Sequence, residues 1–311
     1  MRKSGETLVV SLVVAFFVGS LTVSSLVASA RPAYAAPAAT TSRYMQTTDS
    51  SVGGTLDTEG CNQTNQSGVI VLAFGQPWFD GTNYGTTIFG SNTFRSVTDI
   101  EAAVKEWLNG YWVCGGSGVV NLAIGTSNYH GYTNSGHGQA WAQLANRIEN
   151  WIVSPPSWGS RETVHAANDI ELDWNSVSNS RAWIQGFNSV GGIYYDTGDA
   201  AGCAPYGGCD NGWTEEDVWY KSWGAPPAYP VPEIYNTDGS TAQEWYQVSL
   251  YGYTHHSGAV PILATLTQWA AAGNCCTNQP AQGWQQMQSA VNNDSRTANN
   301  IPYSTDITWA N

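Results

Sequence analysis

Residues 168–175 read NDIELDWN, and this stretch decides the fold expected for the chain. Its three acidic positions, Asp169, Glu171 and Asp173, alternate with aliphatic residues. Successive side chains of a β-strand point to opposite faces, so the three carboxyl groups would share one face. Such a strand suits a parallel barrel, whose outer face packs on helices and whose inner end carries the site. We therefore predict a strand over 163–174 in which crowded acids perturb one another's pKa values.

Strand-length apolar runs alternate with helical segments on both sides of this stretch. The runs cover 69–74, 119–124, 192–195, 229–235, 260–266 and 304–309. The helical segments cover 96–112, 139–153, 181–189, 214–223, 241–251 and 280–291. This alternation predicts one α/β domain over 67–311, a single (β/α)8 TIM-like barrel, irregular and with seven or eight strands. A doubly wound sheet is the alternative, but nothing resembles its glycine-rich phosphate loop.

The N-terminal segment has the pattern of an export signal. Arg2 and Lys3 precede a long apolar run, and Ala33-Tyr34-Ala35 fits an A-x-A cleavage site. We predict a signal peptide over 1–35 and secretion of the mature protein, with an uncleaved anchor as the alternative. Residues 36–66 are small and polar, which predicts a flexible lead-in. After cleavage we expect no membrane-spanning segment.

Charge and composition narrow the class of partner. The chain carries 11 Lys and Arg against 24 Asp and Glu, a formal net charge of −13. Such a chain repels phosphate backbones, so we expect no nucleic-acid partner. The 15 Trp and 16 Tyr include several in glycine-rich loops, where flat rings suit the C–H faces of sugars.

Six cysteines in an exported chain favour disulfides over metal sites. Cys203 and Cys209 bracket one loop, and we pair Cys61 with Cys114. The adjacent pair 275–276 either closes a strained ring or forms crossed bonds to Cys203 and Cys209. We predict three bridges and no free thiol. No Cys/His spacing resembles a zinc site. A calcium site on Asp169, Glu171 and Asp173 is the alternative, but one strand offers too few ligands by itself, so we expect neither a metal nor a cofactor.

Two segments resemble the chitinase-like (family 18) glycoside hydrolases. Residues 119–126 are similar to their strand ending in S-x-G-G, and residues 168–175 resemble their D-G-x-D-x-D-x-E strand. In this alignment Glu171 and Asp173 correspond to the family's two later aspartates. Asn175 stands where the family has its catalytic glutamate, so the usual general acid is replaced.

A more distant similarity links the same strand to family-25-like lysozymes, whose barrels carry a D-x-E pair. This resemblance implies that Asp169 and Glu171 are the working pair. As a whole the chain is similar to secreted bacterial proteins of the glycoside-hydrolase barrel superfamily, and the resemblance implies a carbohydrate substrate.

Glycoside hydrolysis needs two carboxyl groups roughly 5–9.5 Å apart, one of them kept protonated. Glu233 ends an apolar strand and precedes a turn-like segment, so it is the best second acid. The catalytic candidates are therefore Asp169, Glu171, Asp173 and Glu233. The substrate-binding candidates lie at or after strand ends and comprise Trp78, Asp80, Asn128, Asn175, Tyr195 and Asp196.

Three functions remain open from the sequence. The first is a secreted, monomeric glycoside hydrolase acting on a polysaccharide or cell-wall glycan. The second is a carbohydrate-binding barrel without hydrolysis, which Asn175 would explain. The third is a structural or interaction protein of the cell surface whose acidic strand is incidental.

Overall fold

The computed structural model describes residues 34–154, 158–203, 208–225 and 227–310. Within these ranges the chain forms eleven strands: β1 (Thr40–Tyr44), β2 (Gly68–Ala73), β3 (Gln76–Phe79), β4 (Tyr84–Thr87), β5 (Phe94–Ser96), β6 (Val120–Ser127), β7 (Glu162–Asp169), β8 (Tyr194–Asp196), β9 (Ala228–Pro230), β10 (Ala264–Thr267) and β11 (Tyr303–Trp309). All but β3, β4 and β5 are parallel and form a nearly closed barrel in the order β10, β11, β1, β2, β6, β7, β8, β9.

Backbone hydrogen bonds between the β9 segment and the β10 segment nearly complete the ring. Leu263 N donates to Pro230 O at 3.0 Å, and Ile234 N donates to Leu266 O at 2.8 Å. Glu233 forms an isolated parallel bridge with Leu266. The chain just after β9 is therefore held against the barrel wall, and this contact fixes the position of Glu233.

One helix lies between each pair of successive barrel strands. The helices are α1 (Thr55–Gln63), α2 (Val97–Val113), α3 (Ser135–Val153), α4 (Val177–Val190), α5 (Glu215–Trp219, continued by a π-helical turn over Tyr220–Gly224), α6 (Ser240–His255) and α7 (Pro280–Asn292). Ser96 caps α2 by accepting from Asp99 N, while the Asp99 side chain accepts from Ser96 N. The predicted (β/α)8 barrel is confirmed.

The apolar core has two layers, as a barrel requires. In β2, Val69 and Val71 point into the barrel, whereas Ile70 and Leu72 pack against the helices. Both faces of the strand are thus buried, which explains its continuous apolar sequence. The inner layer contains Val69, Val71, Ala123, Ala167, Tyr195, Val231, Ala264, Leu266 and Ile307.

A small antiparallel sheet of β3, β4 and β5 follows β2, where the sequence indicated only a loop. His137 on α3 anchors it. Trp183 Nε1 donates to His137 Nδ1 at 2.9 Å, so His137 Nε2 donates to Gly85 O at 3.0 Å. Burial lowers the pKa of His137 to about 4, which keeps this ring neutral. A side chain at Gly85 would collide with the Arg95 carbonyl oxygen, so β4 requires glycine there.

The expectation of a flexible lead-in over 36–66 is wrong for most of that segment. β1 is a central strand between β11 and β2, and α1 packs on α2. The segment looked polar because hydroxyl groups replace aliphatic side chains in β1. Ser42 Oγ lies 2.7 Å from Thr305 Oγ1 and accepts from Val71 N at 2.8 Å. These buried hydroxyl groups form hydrogen bonds inside the barrel. β1 is therefore buried without the apolar sequence pattern that predicts a buried strand.

Two of the three predicted bridges are present, Cys61–Cys114 and Cys203–Cys209. The third is not, because Cys275 and Cys276 are exposed free cysteines with their sulfur atoms 2.8 Å apart. The crossed pairing with 203 and 209 is also wrong, since those two residues bond to each other. Among described residues, no helix combines the length and the apolarity needed to cross a membrane. Most of the predicted signal peptide, residues 1–33, lies outside the described ranges.

Candidate functional site

A cleft of about 570 Å³ opens at the carboxyl-terminal ends of the barrel strands. Its lining comprises Tyr44, Gln76, Phe89, Ser127, Tyr129, Asp169, Glu171, Trp174, Glu233, Tyr235, Gln268, Ala271, Ala272 and Trp309. These residues lie at or just after strand ends, the face on which barrel enzymes place their sites. The cleft is therefore the candidate site.

Asp169 and Glu171 reach the cleft in different ways. Asp169 is the last residue of β7 and follows Ala167, which points into the barrel. Glu171 lies beyond the strand end and is held by Asn128. Its backbone N donates to Asn128 Oδ1 at 3.1 Å, and Asn128 Nδ2 donates to Glu171 O at 2.8 Å. Asn128 is fully buried, so it positions Glu171 and does not contact a ligand in the cleft.

Glu233 enters the same floor from the segment that joins β9 to β10. The hydroxyl of Tyr235 donates to Glu233 Oε1 at 2.6 Å. One carboxylate oxygen from each of Asp169, Glu171 and Glu233 lies within 4.8 Å of the others. The structure thus brings together three of the four residues that the sequence nominated as catalytic.

Burial dominates the electrostatics of this group. It raises the pKa of Glu171 to about 7, with the neighbouring Asp199 charge as the next cause. Burial also raises the pKa of Asp169 and of Glu233 well above the ordinary value, and repulsion among the three carboxylates adds to it. At neutral pH the group therefore retains protons, and its members titrate together and not independently.

The same residues are the ones that could hold a cation. Among described residues, Asp169, Glu171 and Glu233 form the group with metal-ligand spacing. Carboxylate oxygens suit hard divalent ions, and Asp169 Oδ1 is buried without a hydrogen-bond partner. Protons held by the three carboxyl groups would offset the same negative charge that a cation would offset. The raised pKa values of these groups favour protons over a cation.

Asp173 and Asp80 lie outside the cleft lining, which corrects their predicted roles. The alternation that would have put Asp173 beside Glu171 ends with β7 at Asp169. The chain then turns, with Trp174 N donating to Glu171 O at 3.3 Å, and Asp173 is exposed. Asp80 accepts from the backbone of Thr82 and Asn83 and so caps the turn between β3 and β4.

Three predicted substrate-binding residues have structural contacts instead. Tyr195 is part of the inner barrel layer. Asp196 points to the helix side of β8, where its carboxylate lies 2.7 Å from Lys221 Nζ and both side chains are fully buried. Asn175 donates to the carbonyl oxygens of Asn128 and His130 and so ties two loops together. None of the three lines the cleft.

Aromatic rings line the cleft, and two of them, Trp174 and Trp309, are exposed. Trp309 packs at 4.8 Å on Tyr44, and Trp174 meets Tyr129 edge-on at 5.6 Å, distances taken between ring centroids. Trp78 lies farther out on β3, is 37% exposed and contacts Tyr132 at 4.9 Å. Since Gln76 lines the cleft and side chains alternate along a strand, Trp78 lies on the same face of β3 as Gln76.

The sequence reasoning missed several lining residues, including Tyr44, Phe89, Tyr235 and Gln268. Tyr44 ends a strand that was taken for a lead-in, and Tyr235 lies two residues beyond Glu233. The position of Tyr235 after an apolar run was the available signal. Asp199, which contacts Glu171, was missed because nothing in the sequence marks its loop as close to β7.

Comparison with known proteins adds no family assignment. The chain matches no protein-family model, no curated protein and no solved structure at a significant level. The barrel architecture and the cleft geometry therefore carry the functional reasoning.

Proposed function

We propose that this protein is a glycoside hydrolase acting on a polysaccharide or cell-wall glycan, with Glu171 and Glu233 as its catalytic pair. The observation that carries the proposal is the meeting of Asp169, Glu171 and Glu233 on the floor of an aromatic-walled cleft. Two carboxyl groups of unlike protonation beside a sugar-sized cavity are the parts that glycoside hydrolysis requires.

The spacing favours a retaining reaction. Inverting enzymes hold their carboxyl groups roughly 6.5–9.5 Å apart to admit a water molecule, whereas retaining enzymes hold them about 5–5.5 Å apart. One oxygen of Glu171 lies within 4.8 Å of an oxygen of Glu233, and the two carboxyl groups share a hydrogen bond, so the pair is nearer the retaining than the inverting separation. The shorter spacing supports attack by a carboxylate on the sugar itself.

The pKa values suggest the division of roles. Glu233 is the more deeply buried carboxyl and retains its proton to higher pH, so it protonates the glycosidic oxygen. Glu171, with a pKa of about 7, supplies the carboxylate that attacks the anomeric carbon as the glycosidic bond breaks. Glu233 then takes a proton from the water that hydrolyses the glycosyl–enzyme ester and is ready to donate again. Asp169, kept neutral beside them, donates a hydrogen bond to the sugar.

The aromatic walls fit the proposed substrate class. Two pairs of contacting rings, Tyr129 with Trp174 and Tyr44 with Trp309, line the cleft, so the C–H faces of sugar rings have flat apolar surfaces to pack on. Trp78 would extend this surface beyond the cleft. A glycan outside the cell agrees with the predicted export signal over 1–35, and the acidic floor disfavours phosphate-rich polymers.

Reducing-sugar release from a panel of polysaccharides and cell-wall glycans tests the proposal. Glu171→Gln should abolish release while thermal stability stays equal or rises, because one crowded charge is removed. Glu244→Gln is the matched control: Glu244 is also a half-buried glutamate, lies outside the cleft lining and should leave release unchanged. Absence of release from every glycan, combined with retained sugar binding, would favour the non-catalytic barrel.

Azide separates the two roles on an aryl glycoside with an activated leaving group. In Glu171→Ala, azide should attack directly and give a glycosyl azide of inverted configuration. In Glu233→Ala, azide should attack the glycosyl–enzyme ester and give the retained configuration. The opposite pattern would exchange the two assignments.

A further inference from the structure

Three of the fifteen tryptophans, all of which lie within the described ranges, are exposed to solvent. Trp174 and Trp309 line the cleft, and the third, Trp78, lies on β3. Single exposed apolar side chains are common on protein surfaces, but large exposed rings concentrated in one region mark a binding surface. This concentration points to a ligand that extends from the cleft to Trp78.

Two separate segments connect the cleft to Trp78. On β3, Gln76 lines the cleft, and Trp78 follows on the same face, about 7 Å farther along the strand. On the loop between β6 and α3, Tyr129 lines the cleft, and Tyr132 packs on Trp78 with ring centroids 4.9 Å apart. The cleft wall and the pair Trp78–Tyr132 are therefore neighbouring parts of one surface.

This pair of rings is held in place before any ligand binds. β3 pairs with β4 so that Gly85 stands opposite Trp78, and the buried ring of His137 donates to Gly85 O at 3.0 Å. The loop between β6 and α3 is closed by Thr133, whose Oγ1 donates to Asn128 O at 2.8 Å. A preformed surface loses little conformational freedom on binding, so its contacts with a ligand contribute more fully to affinity.

We propose that Trp78 and Tyr132 form an outer sugar subsite, so that the ligand is a polymeric glycan whose chain runs from the cleft onto β3. The inference rests on the proposed function, because it takes the occupant of the cleft to be a glycan. The two rings meet at 54° and offer flat apolar surface to the C–H faces of a sugar. Among the described residues the Tyr132 hydroxyl has no hydrogen-bond partner, so it is free to bond a sugar hydroxyl. A disaccharide confined to the cleft would not reach this subsite.

The binding of long and short ligands to Trp78→Ala tests the proposal. Calorimetric titrations use the full chain carrying Glu171→Gln, so that no glycan is consumed. The probes are soluble β-glucan, xylan, glycol chitin and solubilised peptidoglycan, each compared with a disaccharide of its own repeat. Trp78→Ala should weaken polysaccharide binding about three- to tenfold and leave disaccharide affinity unchanged. Trp78→Phe keeps a flat ring and should recover most of the loss.

Tyr253→Ala is the matched control, because Tyr253 is an exposed ring on α6 outside the cleft lining and its removal should change neither affinity. Equal polysaccharide affinity with and without the Trp78 ring overturns the proposal. So does an equal loss for polysaccharide and disaccharide, or a protein with intact Trp78 that binds none of these polysaccharides. Should Trp78→Ala fail to fold, Tyr132→Ala removes the other ring and is titrated in its place.

Kinetics give a second measurement and separate this inference from the proposed function. In the active enzyme, Trp78→Ala should raise KM for a polysaccharide at constant kcat and leave turnover of an aryl glycoside unchanged. A protein that binds polysaccharide through Trp78 but releases no sugar refutes hydrolysis and supports the outer subsite. A hydrolase whose KM for polysaccharide is indifferent to Trp78 refutes the outer subsite and leaves the proposed function standing.

Discussion

Glu162→Gln should raise the free energy of unfolding by roughly 3 kcal/mol near pH 7. Glu162 opens β7 at the end of the barrel opposite the cleft, its side chain is 1% exposed, and neither carboxylate oxygen has a hydrogen-bond partner. Burial raises its pKa to about 8 from an ordinary 4.5, against the opposing charge of Arg161. The folded protein therefore holds a proton on Glu162 that the unfolded chain releases.

The sign and the magnitude of the stability gain follow from the difference between the pKa of Glu162 in the folded protein and its pKa in the unfolded chain. Because the folded state binds the extra proton, stability falls as pH rises from about 4.5 to about 8. Each pH unit in that window is worth about 1.4 kcal/mol, and pH 7 lies about 2.5 units above the ordinary pKa. Glutamine is neutral in both states and matches protonated glutamate in shape. The variant therefore does not lose stability as the pH rises through this window.

Urea unfolding at pH 5, 7 and 9 measures the effect. The stability gain of Glu162→Gln should be small at pH 5, grow through pH 7 and level off by pH 9. Asp173→Asn, at an exposed carboxyl, is the control for the loss of one acidic residue. A gain that is equal at all three pH values, or a variant less stable than wild type at pH 9, would refute the reasoning.

Three further results are expected. Asp196→Asn should cost about 3–5 kcal/mol of stability, because it leaves the Lys221 ammonium buried and unpaired, and adding Lys221→Met should recover much of that loss in a thermal melt. Thiol titration of the unfolded, unreduced protein should find two thiols, both from 275–276, whereas none or six would contradict the bridge pattern. Tyr235→Phe removes a hydrogen bond that lowers the pKa of Glu233, so the alkaline limb of activity should move to higher pH.

The barrel was predictable because most of its strands are buried on both faces. β2 is a continuous apolar run, and α2 begins directly after Ser96, where the predicted helical segment 96–112 begins. β1 was not predictable, since its inward side chains include Ser42, whose hydroxyl is satisfied only by Thr305 and Val71 from distant parts of the chain. A hydrogen bond between residues far apart in sequence leaves no local pattern.

The site was predictable in part, because side-chain alternation and the ends of apolar runs are visible in the sequence. Alternation placed Asp169 and Glu171 together, and the position of Glu233 after an apolar run marked it as a strand-end acid. Asp173 was assigned to the same face because the alternation was extended beyond the true end of β7. Asp199 depends on a glycine-permitted approach of two loops, which three-dimensional packing alone reveals.

Lys221 shows how residues behind the barrel wall bear on the chemistry in the cleft. Its ammonium is fully buried on the helix side of β8, paired with Asp196. From there its charge lowers the pKa of Asp169, Glu171 and Asp199. A buried charge is screened far less by salt than an exposed one, so its field reaches the cleft acids through the strand. Asp196, which the sequence suggested as a sugar contact, thus bears on the site indirectly, by holding the cation that limits how many protons the cleft retains.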